Sequence, residues 1–144
     1  MNQQQYIALM QTVADGWNTK NAKQAVECFT DDAIYIEPPD KQFFKGKKEL
    51  YEYFGGDTGF DMKLTWHHLF FNEDEQIGSG EYTFEMNETI HHGVAVIEIK
   101  NEKISLWREY DTVGKLSYDN FLKTSGKTFV FTITDLRNSL KEKS

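Results

Sequence analysis

A phenol and a carboxylate stand two positions apart at Tyr35 and Glu37, inside a short β-rich run over 33–37 that Pro38-Pro39 brings to a stop. Side chains alternate along a strand, so both groups project from one face. Moving a proton on a bound molecule needs such a carboxylate, with an acid partner within reach. The histidines fall in two adjacent pairs, His67-His68 and His91-His92. On regular strands each pair splits between the two faces, so neither chelates as a unit. A strand over 76–86 should lie between the pairs, setting same-face partners about 9–10 Å apart, too wide for two ligands of one metal. No metal site is expected, and His91 is left as a single candidate acid or base. Cys28, beside Phe29 in a helical pattern, reads as a small buried hydrophobe rather than a nucleophile. The chain has no glycine-rich phosphate loop, no Ser-His-Asp order and no Cys/His metal spacing, and no cofactor is expected.

The elements that must position these groups are legible from periodicity. Tyr6, Met10, Val13 and Trp17, with Ile7 and Ala14, form one stripe of an amphipathic helix. Asn21 is a cap for a shorter second helix marked by Ala22, Ala25, Val26 and Phe29. A third helix is expected over 47–54, with Leu50, Tyr51 and Phe54 inward and Gly55-Gly56 ending it. Beyond Gly59 the period changes to two. Segments 62–71, 76–86, 89–100 and 103–112 are β-rich and separated by Asn72-Glu73-Asp74-Glu75, Asn87-Glu88 and Asn101-Glu102. Connections this short impose antiparallel neighbours. Residues 94–99 are apolar on both faces and predict a central strand covered on both sides. Tyr82, Phe84 and Met86 alternate with Glu81, Thr83 and Glu85, the pattern of a half-buried strand. Helices first and a meander afterwards give an α+β domain.

The 144 residues suffice for one domain with a sizeable core. An aromatic content of 15%, eleven phenylalanines included, suits a packed interior with room for an apolar pocket. The formal net charge of −7 argues against a nucleic-acid partner, which needs a basic surface. The charge is uneven: residues 115–144 carry +3 and residues 1–114 carry −10. This predicts a C-terminal extension over 115–144 that closes on the acidic body of a domain over 1–114. Over 128–134 the extension is β-like, with a last helix to follow through Leu140. A lone cysteine, and the lack of a signal-peptide pattern or a membrane-length apolar run, predict a cytoplasmic protein with no membrane partner. Apolar surface left on the second sheet face predicts a homodimer through that face.

One ordered set of short motifs goes further. Trp17-Asn18, Phe29-Thr30-Asp31-Asp32-Ala33, Tyr35-x-Glu37-Pro38, Gly46, His92-Gly93-Val94 and residues Lys103, Ile104, Ser105, Leu106, Trp107, Arg108, Glu109, Tyr110 together resemble the SnoaL-like branch of the nuclear transport factor two-like superfamily. The resemblance covers about residues 5–113. It implies a cone-shaped fold, three helices packed on a curved mixed or antiparallel sheet enclosing one pocket. Its members include isomerases, epoxide hydrolases, polyketide cyclases, dehydratases and non-catalytic binding modules, so fold alone does not choose among them.

Residue by residue, Glu37 is similar in position to the proton-shuttling base of ketosteroid isomerases. The places of their oxyanion donors look like Val13 and Ala95, which speaks against steroid isomerisation. Tyr35-x-Glu37 is similar to the water-holding pair of limonene epoxide hydrolases, and Glu109 to their carboxylate after Trp-Arg. Their Arg-x-Asp falls on Glu81 and Thr83, which removes the epoxide-activating acid. The resemblance implies that Trp107, Glu109 and Asp111 face the pocket, with Arg108 behind. Candidate catalytic residues are therefore Glu37, Tyr35 and Glu109, and candidate pocket residues are Trp17, Thr83, His91, Trp107 and Asp111. Three functions fit. A small apolar molecule is bound without chemistry; or a cofactor-free cyclase, isomerase or dehydratase works with Glu37 as general base; or the sheet face serves as a protein-interaction module.

Overall fold

The structure, a computed structural model, describes residues 1–37 and 41–125. Helix α1 (Gln3–Asn18) opens on a capping box. The Asn2 side chain accepts from the Gln5 amide at 2.9 Å, and the Gln5 side chain accepts from the Asn2 amide at 2.8 Å. Its stripe of Tyr6, Met10, Val13, Ala14 and Trp17 is buried, whereas Ile7 stays exposed at the edge of the stripe. Helix α2 (Ala22–Glu27) starts at Asn21, whose side chain accepts from the Gln24 amide at 3.1 Å. It ends sooner than its periodicity predicts. Phe29 opens strand β1 (Phe29–Glu37) and pairs with Ile104, while the Ile104 amide donates to the Cys28 carbonyl at 2.9 Å. The Phe29 ring still reaches the core against Phe54 and Trp107, so helical spacing was satisfied by a residue already in a strand.

Strand β2 (Gln42–Lys45) and helix α3 (Gly46–Tyr53) follow, the strand unanticipated and the helix close to expectation. Strands β3 (Met62–Asn72), β4 (Ile77–Met86), β5 (Thr89–Lys100) and β6 (Lys103–Gly114) form the meander, and helix α4 (Tyr118–Ser125) comes after it. The described residues thus hold four helices, not three. The two-residue hairpins turn on Asn87-Glu88 and Asn101-Glu102, all four at positive φ, which matches the twist of the flanking strands.

The six strands make one mixed sheet in the order β2-β1-β6-β5-β4-β3. All neighbours are antiparallel except β1 and β6, which run parallel with Tyr35 opposite Trp107. Helices α1, α2 and α3 enclose the inner face with Tyr82, Ala95, Ile97 and Trp107 in the core. β5 is central, as expected, but its outer face is only partly covered by the described residues: Ala95 and Ile97 are buried inward while Val94 is 44% exposed on the outer face. Tyr118 of α4 stacks on His67 and Phe121 contacts His92, so α4 lies on part of the outer face. Pro38-Pro39, the β-like run over 128–134 and the helix expected through Leu140 lie outside the described residues.

Candidate functional site

Alternation along β6 turns Trp107, Glu109 and Asp111 to the inner face, and β1 lies beside it with Tyr35 and Glu37 on that same face. The Tyr35 and Trp107 rings stack at 5.4 Å, which fixes the direction of the phenol. Its hydroxyl donates to Glu109 Oε2 at 2.6 Å. Trp107 Nε1 donates to the same oxygen at 3.1 Å, and the Tyr82 hydroxyl stands 3.5 Å from it. Glu109 Oε1 accepts from Gln42 Nε2 at 3.1 Å, and Gln42 also donates to the Tyr53 hydroxyl at 2.9 Å. A carboxyl only 8% exposed is therefore held by neutral donors from β1, β2, β4 and its own strand.

Burial pushes the Glu109 carboxyl up to about 7, with the charges of Asp111 and Glu37 adding to the rise and the Tyr35 and Trp107 donors opposing it. Burial, and then the Glu109 charge, push the Tyr35 hydroxyl well above the ordinary phenol range. Near neutral pH the shared proton thus belongs to Tyr35. Glu109 exchanges its own proton at a pH where an acid and a base are both present, as proton transfer requires.

Glu109 sits in the wall of a cavity of about 530 Å³ between the inner face and the helices. Trp17, Tyr53, Phe54, Phe60, Leu64 and Phe84 supply apolar parts of the remaining wall. Glu37 also lines it but is tied to Lys41 Nζ at 2.6 Å. His91 and Asp111 form a second polar pair, Nδ1 to Oδ2 at 2.8 Å, with Phe84 edge-on to the imidazole. Tyr35, Glu37, Glu109, Trp17, His91 and Asp111 are thus lining residues of one cavity, and Trp107 is buried in contact with Tyr35 and Glu109.

Thr83 is not among them. Register places it on the outer face, where its hydroxyl meets His67 Nε2 at 3.0 Å. Tyr82, one position earlier, points inward instead. It can do so because Gly93 lies opposite, where a β-carbon would come within 2.5 Å of Tyr82 Cζ. Val13 and Ala95 are fully buried and carry no polar side chain, and Glu81 faces outward to His68 at 2.7 Å.

The two histidines of the first pair do not split between faces. A register shift between Trp66 and His68 absorbs one residue, so His67 and His68 both meet outward groups, Thr83 and Glu81. His91 and His92 do split, His91 to Asp111 inside and His92 Nε2 to the Leu116 carbonyl at 2.8 Å outside. A second hollow of about 400 Å³ lies on the outer face beside α4, bordered by His92, Val94, Tyr110, Leu116 and Phe121, so the fold holds more than the one pocket expected. Among the described residues no three His, Cys, Asp or Glu side chains are grouped as a metal would need, and no helix is long and apolar enough to cross a membrane.

Gln42, Tyr53 and Tyr82 were missed as site residues. Gln42 is reachable only by seeing 42–45 as a strand paired with 34–37, which the alternation of Gln42, Phe43, Phe44 and Lys45 signals weakly. Tyr82 carried a signal, since the same alternation that excludes Thr83 selects it.

Comparison with known proteins agrees with this geometry. A family model described as SnoaL-like domain matches residues 10–107. No curated protein matches the chain. Among solved structures, an epoxide hydrolase/cyclase-like enzyme, SalBIII, described for pyran ring formation in the polyether salinomycin, superimposes with a TM-score of 0.69 at 20% identity, over 78% of this chain and 97% of that one. An NTF-2 like protein from Burkholderia xenovorans gives a TM-score of 0.66 at 13% identity, over 89% and 97% of the two chains. A computationally designed 17-OHP binder gives 0.62 at 15% identity, over 78% and 98%. These likenesses establish a shared NTF2-like fold. With the family model spanning more than half of its length, the chain belongs to the SnoaL-like domain family.

Proposed function

We propose that this protein binds a small, mainly apolar molecule in the inner cavity and holds that molecule's one polar group at Glu109. The observation that carries this reading is Glu109 itself, a buried ionisable group facing about 530 Å³ of space walled by aromatic and aliphatic side chains. Unfilled apolar volume and a dehydrated carboxyl both weaken a fold, and a ligand offsets both. The test is titration with N-phenyl-1-naphthylamine, a neutral apolar fluorophore. One site per chain is expected, with blue-shifted emission, weakened at least tenfold by Phe84→Trp and Met86→Trp, which narrow the cavity. Absence of binding to the parent protein, or equal binding to both variants, sinks the reading.

The proton affinity of Glu109 favours a second reading, cofactor-free isomerisation or cyclisation with Glu109 rather than Glu37 as the proton carrier. Glu37 is engaged by Lys41, whereas the donors around Glu109 are neutral and can follow a change in its charge. Proton NMR of 2-tetralone in deuterium oxide tests this. Exchange of the α-hydrogens should be accelerated by the parent protein and by Glu37→Gln and lost in Glu109→Gln; exchange that survives in Glu109→Gln refutes it.

For assembly and compartment we propose a homodimer through the outer face, where Val94 and Tyr110 stay exposed, and the cytoplasm, where the free Cys28 thiol is kept reduced. A monomer in sedimentation equilibrium at 50 micromolar, about the upper end of ordinary working concentrations, counts against the dimer. Recovery of the native protein outside its source cells counts against the compartment.

A further inference from the structure

Building on the binding reading, we infer that the ligand's polar group is a cation: the inner cavity is made for an apolar amine or quaternary ammonium and refuses carboxylates and phosphates. Glu37, Glu52, Glu109 and Asp111 line the cavity, and among the described residues no Lys or Arg lines it. Glu37 is matched by Lys41, whose side chain is largely in solvent, and Asp111 Oδ2 lies 2.8 Å from His91 Nδ1. Neither Glu52 nor Glu109 has a cationic partner among the described residues. An anionic ligand would be stripped of water among like charges with nothing to pair it.

The walls point the same way. Trp17, Tyr35, Tyr53, Phe60, Tyr82 and Phe84 present aromatic rings to the space, and a ring face attracts a cation within about 6 Å of its centroid. A neutral ligand fills the volume but leaves the dehydrated Glu109 uncompensated. A cation compensates it, and its charge opposes the rise in proton affinity that burial causes. Binding at pH 7 therefore carries a signature: the incoming positive charge expels a proton from Glu109, with Asp111 and Glu37 as the other charged groups acting on it.

Three matched probes decide the matter on the full chain by calorimetry at pH 7: 1-naphthylmethylammonium, 1-naphthylmethanol and 1-naphthoate. The ammonium should bind at least tenfold more tightly than the alcohol, with naphthoate binding at least a hundredfold more weakly than the ammonium. Titration in buffers of different ionisation heat should show proton release with the ammonium only, and Glu109→Gln should abolish that release. An alcohol that binds as tightly as the ammonium, or a naphthoate within tenfold of it, overturns the cation inference and leaves the binding reading standing. If N-phenyl-1-naphthylamine binds and none of the three does, the cation inference alone falls. If nothing binds, both fall.

Discussion

The Tyr35 hydroxyl reaches Glu109 Oε2 at 2.6 Å across the parallel junction of β1 and β6, and it is the shortest contact the carboxyl makes. That contact opposes the rise in the carboxyl's proton affinity. Tyr35→Phe should therefore carry Glu109 further above about 7, by roughly one to two units, since a hydrogen bond to a charged group contributes ~1.5–3 kcal/mol. Carbon-13 NMR of the glutamate carboxyls gives the value directly. A fall in the titration point would mean that the phenol does not support the ionised form.

Stability should follow the same proton. The carboxyl keeps it to about pH 7 when folded and to about 4.5 when unfolded. Between those values the folded state binds more protons than the unfolded one, so this contribution is full below pH 4.5, declines as pH rises and is lost above 7. The decline amounts to about 3 kcal/mol at most. Urea unfolding from pH 4.5 to 8 should show it in the parent and not in Glu109→Gln, which should be the more stable protein at pH 8.

Tyr82 lies where it does because Gly93 leaves room for its ring. Gly93→Ala forces the phenol away and should cost about 1–3 kcal/mol, the usual range for overpacking a filled site. Urea midpoints measure the cost. A cost of zero would mean that the ring can turn without disturbing its neighbours.

On the outer face, α4 is attached by Tyr118, which stacks on His67 at 3.4 Å and donates to Glu81 Oε2 at 3.0 Å. Tyr118→Ala should speed amide exchange across 118–125 severalfold while leaving β4 and β5 protected. Unchanged exchange in α4 would assign its attachment to the contacts of Leu116 and Phe121 with His92.

Most of the scaffold could be read from pattern, because each element announces itself locally. The stripe from Tyr6 to Trp17, the Asn21 cap and the polar turns Asn87-Glu88 and Asn101-Glu102 need no distant partner to be recognised. What escaped was set by pairing. Phe29 satisfies a helical spacing and a strand position at once, and only Ile104, far along the chain, decides between them. The register shift after Trp66 is invisible in residue types, and it alone sends His67 and His68 to one face. Thr83 was assigned to the pocket from a family pattern where plain alternation selects Tyr82.

The candidate site divides in the same way. Tyr35, Glu37 and Glu109 were all identifiable, since each is a chemically able side chain at a patterned position. Which carboxylate lies deep was not, because it depends on an ion pair to Lys41 and on donors from Gln42 and Tyr82 that arrive from other strands.

The parallel junction of β1 and β6 also has a kinetic meaning. β3 through β6 fold back on one another through short turns, while β1 must pair across about half of the chain to lie beside β6. Closing so long a loop is slow, and its entropy cost comes before its contacts form. Until that closure Glu109 is an ordinary wet carboxylate with neither Tyr35 nor Gln42 beside it. Its dehydration thus belongs to the last stage of assembly, after the meander has formed. In stopped-flow experiments the unfolding rate should rise as pH goes from 5 to 8, with the refolding rate nearly flat. The reverse partition would mean that β1 is home before the barrier, and that the chain builds its site before it finishes its sheet.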